Sequence, residues 1–119
     1  MGHVRVAVDI ANPLMPGRSV SIPDALVDTG ATRTTIPRTL AHELSLEIRG
    51  TVDIRTAAGV TKKNWSFAQI TVNGRESFGD IFVSDSYSGV LIGVITLESL
   101  GLAVDPKSGE LIDSPFLLL

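Results

Sequence analysis

The sequence contains no cysteine among its 119 residues, so neither a disulfide bond nor a thiolate metal site can form. Aromatic residues make up only 5% of the chain, which argues against the stacking surfaces that bind single-stranded nucleic acid. Basic residues do not cluster beyond Lys62-Lys63 and the net charge is −3, whereas neutralising phosphates requires a basic face. We therefore expect no nucleic-acid partner.

Long apolar runs are also missing. The longest cover only a few residues, far short of the roughly 20 that a transmembrane helix needs. Residues 1–6 lack the continuous apolar core of a signal peptide. These absences predict a soluble, cytoplasmic protein with no membrane partner, although a domain cut from a longer chain would show the same pattern.

Apolar residues are otherwise abundant, at 44% of the chain against 19% charged residues, which is typical of a folded globular protein. A chain of 119 residues can enclose one ordinary hydrophobic core but not two. No internal repeat, linker or low-complexity segment is visible. We therefore predict a single domain over residues 1–119.

Short β-strands dominate the apolar pattern. Val4 to Ile10 alternates apolar and polar residues, which is the period of a half-buried strand. Asn73-Gly74, between two strand-like runs, is a strong hairpin signal. Val90 to Ile95 is a continuous apolar run of the length of a fully buried strand. The chain as a whole predicts a mainly β fold with roughly eight short strands.

Two short helices interrupt the strands. Apolar residues recur at helical spacing over residues 38–46, and Pro37 suits the first turn of that helix. A second helix is predicted from Thr96, as its N-cap, to Leu100, with Gly101 as its C-terminal cap.

The most informative stretch is Ala25–Thr32, an apolar run that ends in Asp28-Thr29-Gly30. Apolar residues bury a strand, whereas Asp-Thr-Gly is turn chemistry, so the stretch is expected to hold a carboxylate at the mouth of a packed core. The tripeptide alone also fits a surface turn with an incidental aspartate, because short motifs match by chance. The apolar residues before it and Ala31-Thr32 after it favour a catalytic carboxylate.

Leu26 to Thr32 resembles the active-site loop of the single-domain, retropepsin-like aspartic proteases. A second apolar segment, Val90 to Gly93, is followed by a helical turn and Gly101-Leu102, and in that family such a segment packs beneath the active-site loop. Residues 91–105 are also similar to bacterial and archaeal members, and the likeness extends from Val4 to about Ile112. The resemblance implies a closed acid-protease barrel with one or two short helices.

The resemblance also implies roles for individual residues. Asp28 would be the catalytic carboxylate, Thr29 would hydrogen-bond across a two-fold axis, and Gly30 would allow close backbone approach and donate its amide to a carboxylate oxygen. The hairpin tip that follows the first helix would be the flap that closes over substrate, although an ordinary hairpin fits the same pattern. The residues implied to bind substrate are Ala31, Thr32, Ala57, Ala58, Gly59, Val60 and Ile92, with Arg33 against substrate or neighbouring loops.

Aspartic-protease chemistry requires two carboxylates that share one proton, because like charges in contact cannot both ionise. Asp28 is the only aspartate in an apolar-Asp-hydroxyl-Gly setting, so the second carboxylate must come from another copy of the chain. The protease interpretation that the resemblance implies therefore predicts a symmetric homodimer with no metal and no cofactor. The apolar tail Phe116–Leu119 is expected to serve dimerisation, with packing onto its own core as the alternative.

Two functions remain open. The first is an aspartic endopeptidase that cleaves extended peptides, with a preference for apolar side chains if Ile36, Val60 and Ile92 line its walls. The second is an inactive module of the same fold that binds extended peptides by strand addition. Trp65 and Phe67 share a strand face and are interpreted as core or dimer contacts. His3 and His42 are interpreted as solvent-facing or capping residues rather than metal ligands.

Overall fold

The computed structural model describes residues 4–114, which form nine strands and two short helices. This confirms the predicted mainly β fold. His3 and the Phe116–Leu119 tail, for which a dimer role was predicted, lie outside the described residues. In chain order the elements are β1 (Val4–Ala11), β2 (Ser19–Val27), β3 (Thr35–Pro37), α1 (Arg38–Glu43), β4 (Gly50–Thr56), β5 (Gly59–Val72), β6 (Arg75–Ser84), β7 (Leu91–Ile92), α2 (Val94–Ser99), β8 (Leu102–Val104) and β9 (Leu111–Asp113).

Seven of the strands form one sheet in the order β1-β2-β7-β3-β6-β5-β4. β1 also pairs with β5, with Ile10 opposite Ile70, so the sheet closes on itself and only β4 extends beyond the ring. The register between β1 and β2 shifts between Val6 and Val8, and such an irregularity bends a strand and increases its twist. β8 and β9 form a separate small sheet.

The core lies inside the ring, where one face of each long strand points inward. β5 shows this alternation along its second half, since Ser66, Ala68, Ile70 and Val72 are buried and the residues between them are half-buried. The side chains of Ile10, Ile36 and Ile92 are fully enclosed, at 0% exposure. Burial of such apolar surface is the main force that holds the ring closed.

Helix α1 is shorter than predicted, because it ends at Glu43 rather than reaching residue 46. Ser45 adopts a positive φ of 56°, which stops the helix, while the Leu46 amide still donates to the Ala41 carbonyl and Leu46 remains buried. Pro37 lies at the N-cap in an extended conformation rather than in the first turn. Leu46 therefore continues the helical spacing of apolar residues because it is buried with them, although it lies beyond the end of the helix.

Helix α2 begins before Thr96, so the predicted N-cap is wrong. Gly93 is the N-cap and Thr96 lies inside the helix with a buried side chain. Gly101 follows the helix with a φ of +70°, as its predicted capping role requires.

Both predicted hairpins are present. Asn73 and Gly74 join β5 to β6 with positive φ angles of 51° and 77°, which is the pattern of a type I′ turn. The β4–β5 hairpin turns at residues 57–58, where the Thr56 hydroxyl accepts from the Ala58 amide and donates to the Gly59 carbonyl. On β5, Trp65 and Phe67 share a face, with ring centroids 5.4 Å apart in an edge contact.

Candidate active site

Asp28 lies at the end of β2, where the strand leaves the core. Val27 is buried and pairs in parallel with Ile92 of β7, and the Asp28 amide donates to the Ile92 carbonyl over 3.0 Å. The Asp28 side chain is half-buried and the next two residues are exposed. The carboxylate is therefore held at the mouth of the core, which is the arrangement the sequence predicted.

The turn that follows, Asp28–Thr32, is called the Asp28 loop below. Its first residues fold back, because the Ala31 amide donates to the Asp28 carbonyl over 3.1 Å. The Gly30 amide donates to Asp28 Oδ1 over 2.9 Å and so fixes one oxygen of the carboxylate. A Cβ on Gly30 would lie 3.2 Å from that same oxygen, closer than an ordinary contact, so glycine suits this position.

A second segment, Val90–Thr96, lies beneath the Asp28 loop and is called the supporting segment. Val94 and Ile95 are the first two residues of α2, and their amides donate to the carbonyls of Ala31 and Thr32 over 2.8 and 3.0 Å. The first amides of a helix have no partner within the helix, so the Asp28 loop supplies the cap that no side chain provides. This explains why α2 begins at Val94 without a Ser or Thr cap.

Gly93 of the supporting segment touches the backbone after the Asp28 loop. A Cβ at this position would lie 2.5 Å from the carbonyl carbon of Arg33 and 2.7 Å from its oxygen. Distances below about 3.0 Å require the neighbour to move, and here the neighbour is main chain. Only glycine therefore allows the two segments to approach this closely.

Thr34 is a site residue that the sequence did not identify. Its side chain is fully buried, at 0% exposure, and Oγ1 accepts from the Gly93 amide over 3.0 Å. The same oxygen lies 2.6 Å from Thr96 Oγ1 of α2. The only signal in the sequence is a hydroxyl residue a few positions after the motif, which is too common to single out.

The structure corrects the predicted walls of the substrate site. Ile92 and Ile36 have fully buried side chains at 0% exposure, so they belong to the core and cannot line a wall in this chain. Ile92 points inward because its partner in the parallel pair, Val27, also points inward. Its contribution to the loop is its carbonyl oxygen. These two side chains therefore give the substrate site no apolar wall.

The remaining predicted substrate residues lie on two exposed elements. Ala31 is half-buried and Thr32 is exposed in the Asp28 loop. The tip of the β4–β5 hairpin is exposed throughout, and Val60 is 60% exposed although it is apolar. Arg33 turns to a neighbouring strand, since it lies 3.3 Å from an Asp80 carboxylate oxygen and over the Phe82 ring. Contact of these residues with substrate stays a prediction.

Outside the Asp28 loop, Arg38 of α1 makes a bidentate hydrogen-bonded pair with Asp85. The hydrogen bond from Arg38 lowers the pKa of the Asp85 carboxyl, and the pKa of Arg38 is raised in return. Both residues line a groove of about 600 Å³ between α1 and the loop of residues 84–88. None of the residues that line this groove belongs to the Asp28 loop.

Across residues 4–114, no three His, Asp or Glu side chains converge in a way that could hold a metal ion. His42 lies exposed in the last turn of α1. In the same range, no helix combines the length and the apolar character needed to cross a membrane.

Residues 17–99 match the family model described as "gag-polyprotein putative aspartyl protease". No curated protein sequence matches the chain. Among solved structures, the EIAV protease in complex with the inhibitor HBY-793 is similar, with a TM-score of 0.61 and 17% identity, covering 98% of this chain and 94% of that one. A retropepsin-like aspartic protease from Rickettsia conorii gives a TM-score of 0.59 and 21% identity, over 87% of this chain and 85% of that one.

The retroviral protease-like domain of Ddi1 from Leishmania major is also similar, with a TM-score of 0.57 and 20% identity, covering 96% of this chain and 94% of that one. At these identities the likeness shows the fold. The closed, mainly β architecture with two short helices is therefore a retropepsin-like fold, as the sequence predicted.

Proposed function

Because the chain belongs to the gag-polyprotein aspartyl protease family, we propose that it is an aspartic endopeptidase whose active site pairs Asp28 from two identical subunits. The observation that carries this proposal is the geometry of the Asp28 loop. The half-buried Asp28 carboxylate is fixed by the Gly30 amide, directly after the buried end of β2 and next to the exposed residues Thr29 and Gly30. A solvated surface turn would not be braced from beneath by a second buried segment.

The proposed reaction is hydrolysis of a peptide bond by a water molecule. One Asp28 carboxylate removes a proton from a water molecule, and the oxygen of that water attacks the scissile carbonyl carbon. The other Asp28, protonated, donates a hydrogen bond to the carbonyl oxygen and stabilises the developing charge. The C–N bond then breaks as an Asp28 carboxyl donates a proton to the leaving nitrogen, and two shorter peptides are released. Metal and cofactor have no role in these steps.

The homodimer follows from the number of suitable carboxylates. One chain supplies a single braced Asp28, while two carboxylates with one shared proton are needed. Thr29 and Gly30 are exposed next to Asp28, where a symmetric partner could contact them. In this proposal Thr29 hydrogen-bonds across the two-fold axis. Ala31 and Thr32 contact the substrate main chain, and the exposed tip Ala57–Val60 closes over it.

The test is cleavage of a mixed peptide pool by the purified protein from acidic to neutral pH. Asp28→Asn should abolish cleavage while sedimentation still shows a dimer. The matched control is Asp24→Asn, which makes the same chemical change at an exposed aspartate of β2 and should leave cleavage intact. A dimer of wild-type protein that cleaves no peptide, or cleavage that survives in Asp28→Asn, would refute the proposal.

A second candidate, a peptide-binding module without activity, has one observation in its favour. β4 ends the order of the main sheet, so one edge of Gly50–Thr56 is open to pairing with an added strand. Such a module needs no second carboxylate and would function as a monomer. A monomer in sedimentation that binds extended peptides without cutting them, and whose binding is unchanged in Asp28→Asn, would favour this candidate.

A further inference from the structure

Helix α2 and the residue that precedes β3, Thr34, meet through a buried pair of hydroxyl groups. Thr34 is 0% exposed and Thr96 is 6% exposed, and their Oγ1 atoms lie 2.6 Å apart. Either oxygen could be the donor in this bond. Thr34 Oγ1 also accepts from the amide of Gly93, the N-cap of α2, over 3.0 Å. This one oxygen therefore contacts α2 at both Gly93 and Thr96.

Gly93 lies between the points at which the supporting segment touches the Asp28 loop. The preceding carbonyl, that of Ile92, accepts from the Asp28 amide over 3.0 Å. The following amide, that of Val94, donates to the Ala31 carbonyl over 2.8 Å. A shift of Gly93 would therefore move both ends of the turn that carries the carboxylate. Within residues 4–114, the only side-chain hydrogen bond to Gly93 comes from Thr34.

We propose that the Thr34–Thr96 hydroxyl pair positions the Asp28 carboxylate by fixing Gly93 beneath the loop. The inference rests on the proposed function, because the position of Asp28 matters for rate only if Asp28 takes part in the reaction. Neither hydroxyl contacts Asp28, so both threonines are positioning residues rather than catalytic ones. Their contribution reaches the carboxylate through the backbone of the supporting segment.

Replacement of Thr34 should disturb the structure more than replacement of Thr96. Thr34→Val would leave the buried Gly93 amide without its acceptor, and an unpaired buried amide is costly in itself. Thr96→Val removes only the hydroxyl bond and keeps the branched shape of the side chain in α2. Thr96→Val is therefore the cleaner test, and Thr96→Ser should restore the bond.

A matched control exists in the same helix. Ser99 Oγ of α2 lies 2.8 Å from Ser77 Oγ of β6, so Ser99→Ala also breaks a hydroxyl pair that ties α2 to the barrel. Within residues 4–114, these two hydroxyls make no hydrogen bond to Gly93 or to the Asp28 loop. Both variants should weaken the anchoring of α2, but only Thr96→Val should change the position of Asp28.

The experiment compares kcat and KM for cleavage of one peptide by wild-type protein, Thr96→Val, Thr96→Ser and Ser99→Ala, each shown to be folded by circular dichroism. Thr96→Val should lower kcat roughly ten-fold or more with KM nearly unchanged, because small displacements of a reacting group cost rate rather than binding. Thr96→Ser should recover most of the loss, and Ser99→Ala should keep wild-type kcat. An unchanged kcat in Thr96→Val, or an equal loss in Ser99→Ala, would overturn the proposal.

Native-state amide exchange supplies a readout that does not depend on activity. The Asp28 and Gly93 amides should exchange faster in Thr96→Val than in Ser99→Ala, because the supporting segment opens more easily when its brace is cut. If the wild-type protein cleaves nothing, the proposed function fails, and exchange alone then decides the positioning. Equal protection of both amides in Thr96→Val and Ser99→Ala would overturn it.

Discussion

Replacement of Gly93 by alanine should destabilise the protein strongly, because the new methyl group has no space. It would lie 2.5, 2.7 and 2.9 Å from the carbonyl carbon, oxygen and Cα of Arg33. Side chains can rotate away from such a contact, but these three atoms belong to the main chain that follows the Asp28 loop. The two segments would have to separate, which strains the hydrogen bonds between them.

The size of the effect follows from the contacts that must give way. Overpacking by one methyl group typically costs about 1–3 kcal/mol, and each hydrogen bond that is lost adds about 1 kcal/mol. We expect the free energy of unfolding to fall by about 3 kcal/mol in Gly93→Ala. For a domain of this size that corresponds to a melting temperature lower by roughly 10 °C.

The assay is urea unfolding followed by circular dichroism, with all proteins at one concentration because a dimer unfolds in a concentration-dependent way. Gly79→Ala is the matched control, since Gly79 lies in β6 without a positive φ and a methyl group there would meet no other atom within 4 Å. Its stability should stay within about 0.5 kcal/mol of wild type. If Gly93→Ala were as stable as Gly79→Ala, the close approach of the two segments described above would be wrong.

Three further changes test other parts of the structure. Gly30→Ala should lower kcat with little loss of stability, because the new Cβ would lie 3.2 Å from Asp28 Oδ1. Steady-state kinetics and a thermal melt measure the two effects. A fully active variant would contradict the geometry of the carboxylate. Gly74→Ala should cost about 1 kcal/mol in urea unfolding, because alanine is strained at the φ of +77° in the β5–β6 turn, whereas an unchanged midpoint would argue against that turn. Arg38 lowers the pKa of Asp85, so the stabilisation by this pair is present above the ordinary carboxyl pKa of 3.8 and is lost as the pH falls through the lowered value. Asp85→Asn should therefore flatten the acid end of the stability–pH curve relative to wild type, and superimposable curves would exclude this contribution.

The features that the sequence predicted well are those with a local cause. Asn73-Gly74 indicates a turn because both residues tolerate positive φ, and the turn is there. Asp28-Thr29-Gly30 indicates a bend after an apolar strand end, and the Asp28 carboxylate and the Gly30 amide meet within the motif itself. No information from the rest of the chain is needed to interpret either one.

The features that the sequence missed depend on partners far away in the chain. Thr96 has the chemistry of an N-cap, but the carbonyls of Ala31 and Thr32 satisfy the first amides of α2, and its hydroxyl bonds to Thr34, 62 residues away. Ile92 lies in a continuous apolar run, which has no alternation to show which face is buried. Only its pairing with Val27 decides that its side chain points into the core.

The Asp28 loop differs on its two sides, and this difference bears on how an active site would assemble. On its inner side the loop is held by hydrogen bonds from within one chain, at the Asp28 amide and at the Ala31 and Thr32 carbonyls. On its outer side Thr29 and Gly30 are exposed. Ordering a flexible loop on association costs free energy, whereas a loop that is already fixed avoids that cost. A half-site of this kind would let a second copy complete the carboxylate pair without first reshaping the loop.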